Sequence, residues 1–165
     1  RLALHTQLSR AIRENALTLH YQPKIRLIDQ QVIGFEALIR WPHPEKGMIQ
    51  PGQFIPLAEG TELIHPLTHW VLNEALRQLR LWQAQGLGTC LAINISTHNL
   101  LNPHFPDELK ALLAKPASGD AADETVHAAR GRQGAFEGFM VAFLNPQLAI
   151  FFIALFSLAL VKMTA

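Results

Sequence analysis

The feature that most constrains this chain is the uneven distribution of charge along it. Over residues 1–113 charged and apolar residues are interleaved, as they are in a soluble α/β domain. Over residues 138–161 the sequence GFMVAFLNPQLAIFFIALFSLALV contains no charged residue. At 165 residues the chain is long enough for one ordinary domain. The two parts must therefore be interpreted separately.

The uncharged run is long enough to cross a membrane, since a helix needs about 20 apolar residues to span a hydrocarbon core. The Asn-Pro-Gln step at 145–147 interrupts it, but membrane helices tolerate proline and isolated amides. The alternative is a helix buried inside a large soluble protein, which needs more surrounding chain than remains here. We predict an apolar, membrane-spanning helix within 131–165, after a linker at 114–130 that is rich in Ala, Gly, Ser and acids.

Composition excludes several classes of function. The formal net charge of +1 gives no indication of DNA or RNA binding. The single cysteine, Cys90, excludes an intrachain disulfide and fits a reducing compartment. The eight histidines form no HExxH motif, and neither a Gly-rich phosphate loop nor a GxSxG elbow is present. His65 and His69 lie one helical turn apart and could share a metal. No third ligand is evident, so surface or capping histidines are the favoured interpretation.

The N-terminal elements can be predicted from periodicity. Residues 2–15 place apolar side chains on one face and predict an amphipathic helix. Residues 16–25 and 31–41 alternate apolar and polar side chains and predict two strands. A short turn near Asp29 separates the strands, which indicates an antiparallel hairpin.

The following elements predict an α/β fold. Residues 51–59 predict a short helical turn begun by proline, and Pro66 lies in the first turn of a longer helix that Gly86 ends. The stretch CLAINIS at 90–96 is apolar on both faces and predicts a central strand. Another helix begins at 105. This alternation of strands and helices indicates an α/β sheet or barrel.

Two charged side chains share one face of the second strand. In an extended strand Glu36, Leu38 and Arg40 project together. A carboxylate suits a hard divalent cation, and a guanidinium suits phosphate oxygens. The alternative is an ion pair on an edge strand, which stabilises a protein little. Spacing alone favours the ion pair.

A second polar pair lies on the apolar strand. Asn94 and Ser96 are the polar members of AINIS. The Asn94 amide is costly to bury without a partner, so it is either a functional group or a structural hydrogen-bonding group. The sequence favours neither interpretation.

The stretches LHYQPKIRL, VIGFEALIRWPHPEKGMIQPGQFIPLAE and LAINIS, in this order and spacing, resemble the N-terminal half of EAL domains. These domains are bacterial phosphodiesterases that linearise cyclic di-GMP. The resemblance covers about residues 2–113. It implies a truncated TIM-like (β/α)8 barrel in which the first two strands are antiparallel. It also implies an active site at the C-terminal ends of the strands.

By matching positions, the resemblance implies roles for individual residues. Glu36 and Asn94 would be metal ligands, Arg40 would contact a phosphate, and Gln22 and Leu38 would contact the nucleotide. The family uses two divalent ions, Mg²⁺ or Mn²⁺, to activate water for attack on a phosphodiester. EAL domains often dimerise, and a cytoplasmic location for residues 1–113 is expected.

The family's remaining site motifs are not found after residue 113: the Glu of an ITE-like motif, the paired Asp of the DDFG type, a Lys, a further Glu and a late Gln. The resemblance therefore predicts a truncated phosphodiesterase that is inactive alone. Residues 131–160 resemble a transmembrane segment of lysine-exporter-type amino-acid translocators. The alternative functions are a fragment of such an exporter fused to a non-catalytic EAL remnant near 114–120 and anchored in the inner membrane, or a degenerate EAL module for protein contacts.

Overall fold

The computed structural model describes residues 2–114 with their side chains and the backbone of 139–143 and 150–156. Its elements, in chain order, are α1 (Leu2–Arg13), β1 (Thr18–Arg26), β2 (Gln31–His43), β3 (Gly47–Ile49), α2 (Pro51–Glu59), α3 (Ile64–Ala84), β4 (Cys90–Ser96), α4 (Thr97–Leu100), α5 (Phe105–Ala114), β5 (Phe139–Phe143) and β6 (Ile150–Phe156).

The described strands form one mixed sheet in the order β1-β2-β4-β6-β5, with β3 paired to the far end of β2. β1 and β2 are antiparallel, as the resemblance implied, and β2 and β4 are parallel. β4 lies between β2 and β6, so the prediction of a central strand at 90–96 is confirmed. The α/β class predicted from the alternation of elements is confirmed as well.

The hairpin between β1 and β2 forms where the turn was predicted. Gln30 has a left-handed backbone with φ of 57°. Arg26 Nε donates to Asp29 Oδ1 across the turn at 3.0 Å. The strands on either side are in antiparallel register, with one irregularity between Lys24 and Ile25.

The sheet has one apolar face, which packs against α3 and α5. Because side chains alternate along a strand, the odd-numbered residues of the segments 19–21, 35–39 and 91–95 point to this face. They join the helices in a core that includes Leu19, Ala37, Leu91, Ile93, Ile95, Val71, Ala75, Leu79 and Leu109. α1 and α2 pack in a second cluster around Trp41 and Phe54. The even-numbered residues of these three segments therefore lie on the opposite face.

In the apolar run near the C-terminus, the observed secondary structure differs from the helix predicted from the sequence. Residues 139–143 and 150–156 form two antiparallel strands, whereas the sequence predicted one continuous helix over 138–161. β6 pairs along β4, from Ile150 opposite Ser96 to Phe156 opposite Cys90. Phe, Ile and Val favour strands, and the otherwise unpaired edge of β4 supplies hydrogen-bonding groups that a helix could not use.

No helix within residues 2–114 is both long and apolar enough to cross a membrane, and the described parts of the C-terminal run are strands. The predicted linker and the remainder of 131–165 lie outside the described residues.

Candidate functional site

The polar face of the sheet brings together the site residues predicted from sequence. Glu36 on β2 lies opposite Gln22 on β1 and opposite Ala92 on β4. Asn94 is two residues beyond Ala92 and so shares the face of Glu36. Because β2 and β4 are parallel, their carboxyl ends meet at one edge of the sheet, and the cluster lies toward that edge.

A hydrogen bond joins the two principal residues of this cluster. Asn94 Nδ2 donates to Glu36 Oε1 at 3.0 Å. The other carboxylate oxygen, Glu36 Oε2, lies 3.8 Å from Lys24 Nζ. The Glu36 side chain is 20% exposed, so water screens this pair only in part. The ion pair with Arg40 that spacing alone favoured is not formed, and β2 is an interior strand of the sheet.

The side-chain oxygens of Glu36 and Asn94 are of the type that binds a hard divalent cation, but the described residues bring only these two side chains together. Carboxylate and amide oxygens are ligands that Mg²⁺ and Mn²⁺ accept, and the hydrogen bond to Glu36 does not use Asn94 Oδ1. Within the described residues, no group of three or more His, Cys, Asp or Glu side chains could hold a metal ion. Glu36 and Asn94 thus provide part of a coordination shell.

A cavity of about 170 Å³ adjoins the cluster at the carboxyl ends of the strands. Arg40 and Leu38 line it from β2, and α2 and α3 supply an apolar wall that includes Pro51, Ile55, Ile64, Leu67 and Val71. Arg40 Nη1 donates to the carbonyl of Ile39 at 2.9 Å, which uses one of the several N–H donors of the guanidinium. The cavity therefore combines a cation that suits phosphate with apolar walls.

A hydrogen bond from Ser96 joins the end of β4 to α2. Its hydroxyl donates to Glu59 Oε1 at 2.7 Å and accepts from the backbone N–H of His98 at 3.3 Å. Ser96 is thereby the N-cap of α4. Sequence reasoning identified Ser96 as a polar residue on an apolar strand and missed Glu59, because nothing in the helical pattern of α2 distinguishes that carboxylate.

A chain of polar side chains, buried at Thr68 and Asn99 and partly exposed at His65, links α3 and α4. Thr68 Oγ1 donates to Asn99 Oδ1 at 2.8 Å, and Asn99 Nδ2 lies 3.3 Å from His65 Nδ1. His69 instead contacts Asn73, with 2.9 Å between His69 Nδ1 and Asn73 Nδ2. The two histidines therefore have separate partners. Sequence reasoning missed Thr68 and Asn99.

The remaining candidates occupy the expected face without close partners in the cluster. Gln22 is exposed opposite Glu36, and Leu38 is half-buried at the cavity. Cys90 lies at the other end of β4, where burial raises the pKa of its thiol despite the opposing charge of Lys24. A thiol that is held protonated is a weak nucleophile, so Cys90 behaves as a small apolar residue.

This geometry defines a class of protein: an α/β domain with an antiparallel first strand pair and with polar ligands gathered where two parallel strands end. The sequence model of the EAL domain matches residues 5–122. The chain belongs to the EAL domain family.

Two curated relatives illustrate the similarity. The chain is 43% identical over 115 residues to the bifunctional diguanylate cyclase/cyclic di-GMP phosphodiesterase MucR of Pseudomonas aeruginosa, across 69% of this chain and 17% of that protein. It is 40% identical over 112 residues to the cyclic di-GMP phosphodiesterase PdeR of Escherichia coli, across 68% of this chain and 17% of that protein. The chain thus spans about a sixth of the length of either relative.

Solved structures agree with the fold. The PaMucR phosphodiesterase in its c-di-GMP complex matches with a TM-score of 0.60 and 43% identity, over 65% of this chain and 45% of that one. The FimX EAL domain of Xanthomonas citri in complex with c-di-GMP matches with a TM-score of 0.58 and 29% identity, over 69% of this chain and 44% of that one.

Proposed function

We propose that residues 1–113 form the N-terminal part of an EAL-type cyclic di-GMP phosphodiesterase domain that contacts cyclic di-GMP through the polar face of β1, β2 and β4. The observation that carries this proposal is the 3.0 Å hydrogen bond between Asn94 and Glu36 beside the cavity of Arg40. The relatives named as cyclic di-GMP phosphodiesterases, and the two related structures that contain c-di-GMP, support it.

In this proposal each site residue contacts the dinucleotide or a metal ion, or orients another site residue. Arg40 directs its guanidinium to a phosphate of the dinucleotide, and its apolar surroundings strengthen the attraction. Gln22 and Leu38 contact the nucleotide from β1 and β2. Glu36 and Asn94 hold a Mg²⁺ or Mn²⁺ ion, with Asn94 Nδ2 orienting the Glu36 carboxylate. When bound, such ions activate water and offset the negative charge that develops on the phosphodiester.

We further propose that a polypeptide of these 165 residues binds the dinucleotide without hydrolysing it. The family's further metal-ligand motifs are not found in the sequence after residue 113. Hydrolysis through two metals requires both ions to be held in fixed positions relative to the phosphate. Two oxygen ligands are too few for that.

The test is a hydrolysis assay with cyclic di-GMP and either Mg²⁺ or Mn²⁺. We expect no linear dinucleotide product from the chain. Glu36→Ala serves as the site variant, and Glu45→Ala, an exposed glutamate in the turn after β2, is the matched control. Metal-dependent turnover that disappears in Glu36→Ala and persists in Glu45→Ala would contradict the proposal.

A further inference from the structure

Both oxygens of the Glu36 carboxylate have a partner in the structure. Lys24 Nζ lies 3.8 Å from Glu36 Oε2, and Asn94 Nδ2 donates to Glu36 Oε1 at 3.0 Å. We propose that Lys24 is the resident counter-cation of Glu36 and that a divalent ion binds to Glu36 only by displacing it. Lys24 is thereby a positioning residue that sets the metal affinity of the site. The assignment of Glu36 as a metal ligand rests on the proposed function.

The register of the hairpin directs Lys24 toward Glu36. In the antiparallel pairing of β1 and β2, Gln22 lies opposite Glu36 and Lys24 lies opposite Gly34. The irregularity in register comes only after Lys24, so Lys24 and Gln22 share the polar face. Gly34 has no side chain that could pair with the ammonium group. The diagonal position on β2 is Glu36, which a long lysine side chain reaches.

Glu36 is contacted from both neighbouring strands. Because β2 lies between β1 and β4, Lys24 approaches the carboxylate from one side and Asn94 from the other. Arg40 shares the face of Glu36 on β2, but its Nη1 donates to the carbonyl of Ile39 and it forms no ion pair with Glu36. Within residues 2–114, Lys24 is therefore the side chain whose charge balances that of Glu36.

The two members of this ion pair differ in their exposure to water. The Glu36 side chain is 20% exposed, and that of Lys24 is 40% exposed. A carboxylate that is largely removed from water is costly without a positive partner. The lysine is closer to solvent, where ion pairs are weak, so its ammonium group can leave the carboxylate and regain water. Lys24 is thus an exchangeable partner for a carboxylate that requires one.

A divalent ion and the lysine ammonium compete for the same carboxylate. A hard cation is bound through carboxylate oxygen, and it repels a second positive charge a few ångströms away. Metal binding therefore includes breaking the contact between Lys24 and Glu36 and moving the ammonium away. Both steps lower the apparent affinity for the ion. An apolar side chain in place of Lys24 removes both.

The first test measures Mn²⁺ binding to the intact chain without nucleotide, from the electron paramagnetic resonance signal of free Mn²⁺. Lys24→Met keeps a long side chain without its charge and should bind Mn²⁺ about tenfold more tightly than the unaltered chain. Lys46→Met removes the same charge from the exposed turn after β2 and is the matched control. It should change the affinity by less than about twofold, since salt screens distant charges. Equal affinities in Lys24→Met and the unaltered chain would overturn the proposal.

The variant Glu36→Gln separates this inference from the proposed function. The glutamine oxygen still accepts from Asn94 Nδ2 but carries no charge. If Glu36→Gln abolishes Mn²⁺ binding while Lys24→Met binds as the unaltered chain does, the metal assignment stands and the role of Lys24 is wrong. If no form of the chain binds Mn²⁺ through Glu36, the proposed metal site is wrong, and the competition is wrong with it.

A double-mutant cycle tests the ion pair without any metal. Urea denaturation of the unaltered chain, Lys24→Met, Glu36→Gln and the double variant, each with a chelator present, measures the coupling between the two side chains. Glu36→Gln should lower the equilibrium constant for folding about threefold more when Lys24 is present than when methionine replaces it. A coupling of zero within error would show that Lys24 is not the counter-cation of Glu36.

Discussion

At the scale of single residues, the polar face depends on pairs in which one side chain fixes the other. Asn94 orients Glu36, Glu59 accepts from Ser96, and the amide of Asn99 holds the hydroxyl of Thr68. Each pair joins two elements that are distant in sequence. The site therefore forms only when the sheet and helices pack together.

Removing the Asn94 amide should destabilise the fold measurably. In Asn94→Ala, Glu36 loses a donor to a carboxylate that is only 20% exposed, which should cost about 1–2 kcal/mol. Urea denaturation measures the change in the free energy of unfolding. Asn73→Ala, on the exposed surface of α3, should change it by less than about 0.5 kcal/mol. Equal losses in the two variants would contradict a specific role for Asn94.

Tyr21 should make stability fall in alkaline solution. Burial, aided by the nearby charge of Glu74, raises the pKa of Tyr21 to about 12 against an opposing effect of Arg77. Because folding raises the pKa of Tyr21, the contribution of its protonated hydroxyl to the free energy of unfolding is complete below pH 10. This contribution is lost as the pH rises through about 12. The chain has one tyrosine, so its ultraviolet absorbance titration reports Tyr21 alone.

The variant Tyr21→Phe isolates this effect. Among the described residues the buried Tyr21 hydroxyl has no hydrogen-bond partner, so its removal should leave the stability near pH 7 unchanged or slightly higher. In urea denaturation the decline between pH 10 and 12 should be smaller for the variant than for the unaltered chain. An absorbance midpoint near pH 10 in the folded chain would show that Tyr21 is not buried as described.

At the scale of elements, the close approach of β2 to β4 depends on a glycine. A Cβ added to Gly34 would lie 2.9 Å from the carbonyl oxygen of Cys90 and 3.3 Å from its Cβ. The neighbouring atom is backbone and cannot move without displacing β4. The pairing that aligns Glu36 with Ala92 begins one residue further along, at Phe35.

Gly34→Ala should accordingly separate the two strands. We expect a loss of about 1–3 kcal/mol in the free energy of unfolding, as for other insertions into packed interiors. Gly52→Ala is the matched control, because it lies in α2 with no atom within 4 Å of its added Cβ. There alanine should be neutral or stabilise by up to about 1 kcal/mol. A Gly34 variant as stable as the Gly52 variant would contradict the described packing.

Hydrogen exchange tests the pairing of the apolar run. Because Leu91, Ala92 and Ile93 of β4 are paired on both edges, by β2 and by β6, the amides of these three residues should all exchange slowly. If residues 138–161 formed one helix away from the sheet, one edge of β4 would be open. Alternate β4 amides would then exchange rapidly.

Local sequence patterns predicted most elements, and long-range pairing accounts for the rest. The helix expected from Pro66 is α3, and CLAINIS is β4 along its whole length, because their apolar periodicities are strong. β3 has three residues, and its identity depends on pairing with β2. Residues 139–143 and 150–156 are strands where the sequence predicted a helix, because an apolar stretch alone does not distinguish a helix from a strand.

The difference between local sequence patterns and long-range pairing also explains which site residues could be predicted. Glu36 and Asn94 stand out in the sequence because they are polar residues on strands with apolar neighbours. Glu59, Thr68 and Asn99 lie on helices, where a polar residue is unremarkable until its partner is known. Their partners are 31 to 37 residues away along the chain.

At the scale of the whole molecule, the described strands form an open sheet with β1 and β5 at its two edges. The chain spans 45% of the PaMucR phosphodiesterase structure. Its own polar face bears Glu36, Arg40 and Asn94. The proposed contact with the nucleotide therefore lies on that face.

The most direct measurement is the equilibrium binding of cyclic di-GMP to three forms of the chain: unaltered, Arg40→Ala, and Arg13→Ala as a control on the exposed surface of α1. We predict saturable binding that Arg13→Ala leaves unchanged and that Arg40→Ala weakens about tenfold or more, the value of a charge-assisted hydrogen bond to phosphate. Absence of saturable binding, or equal affinities for the two variants, would contradict the account.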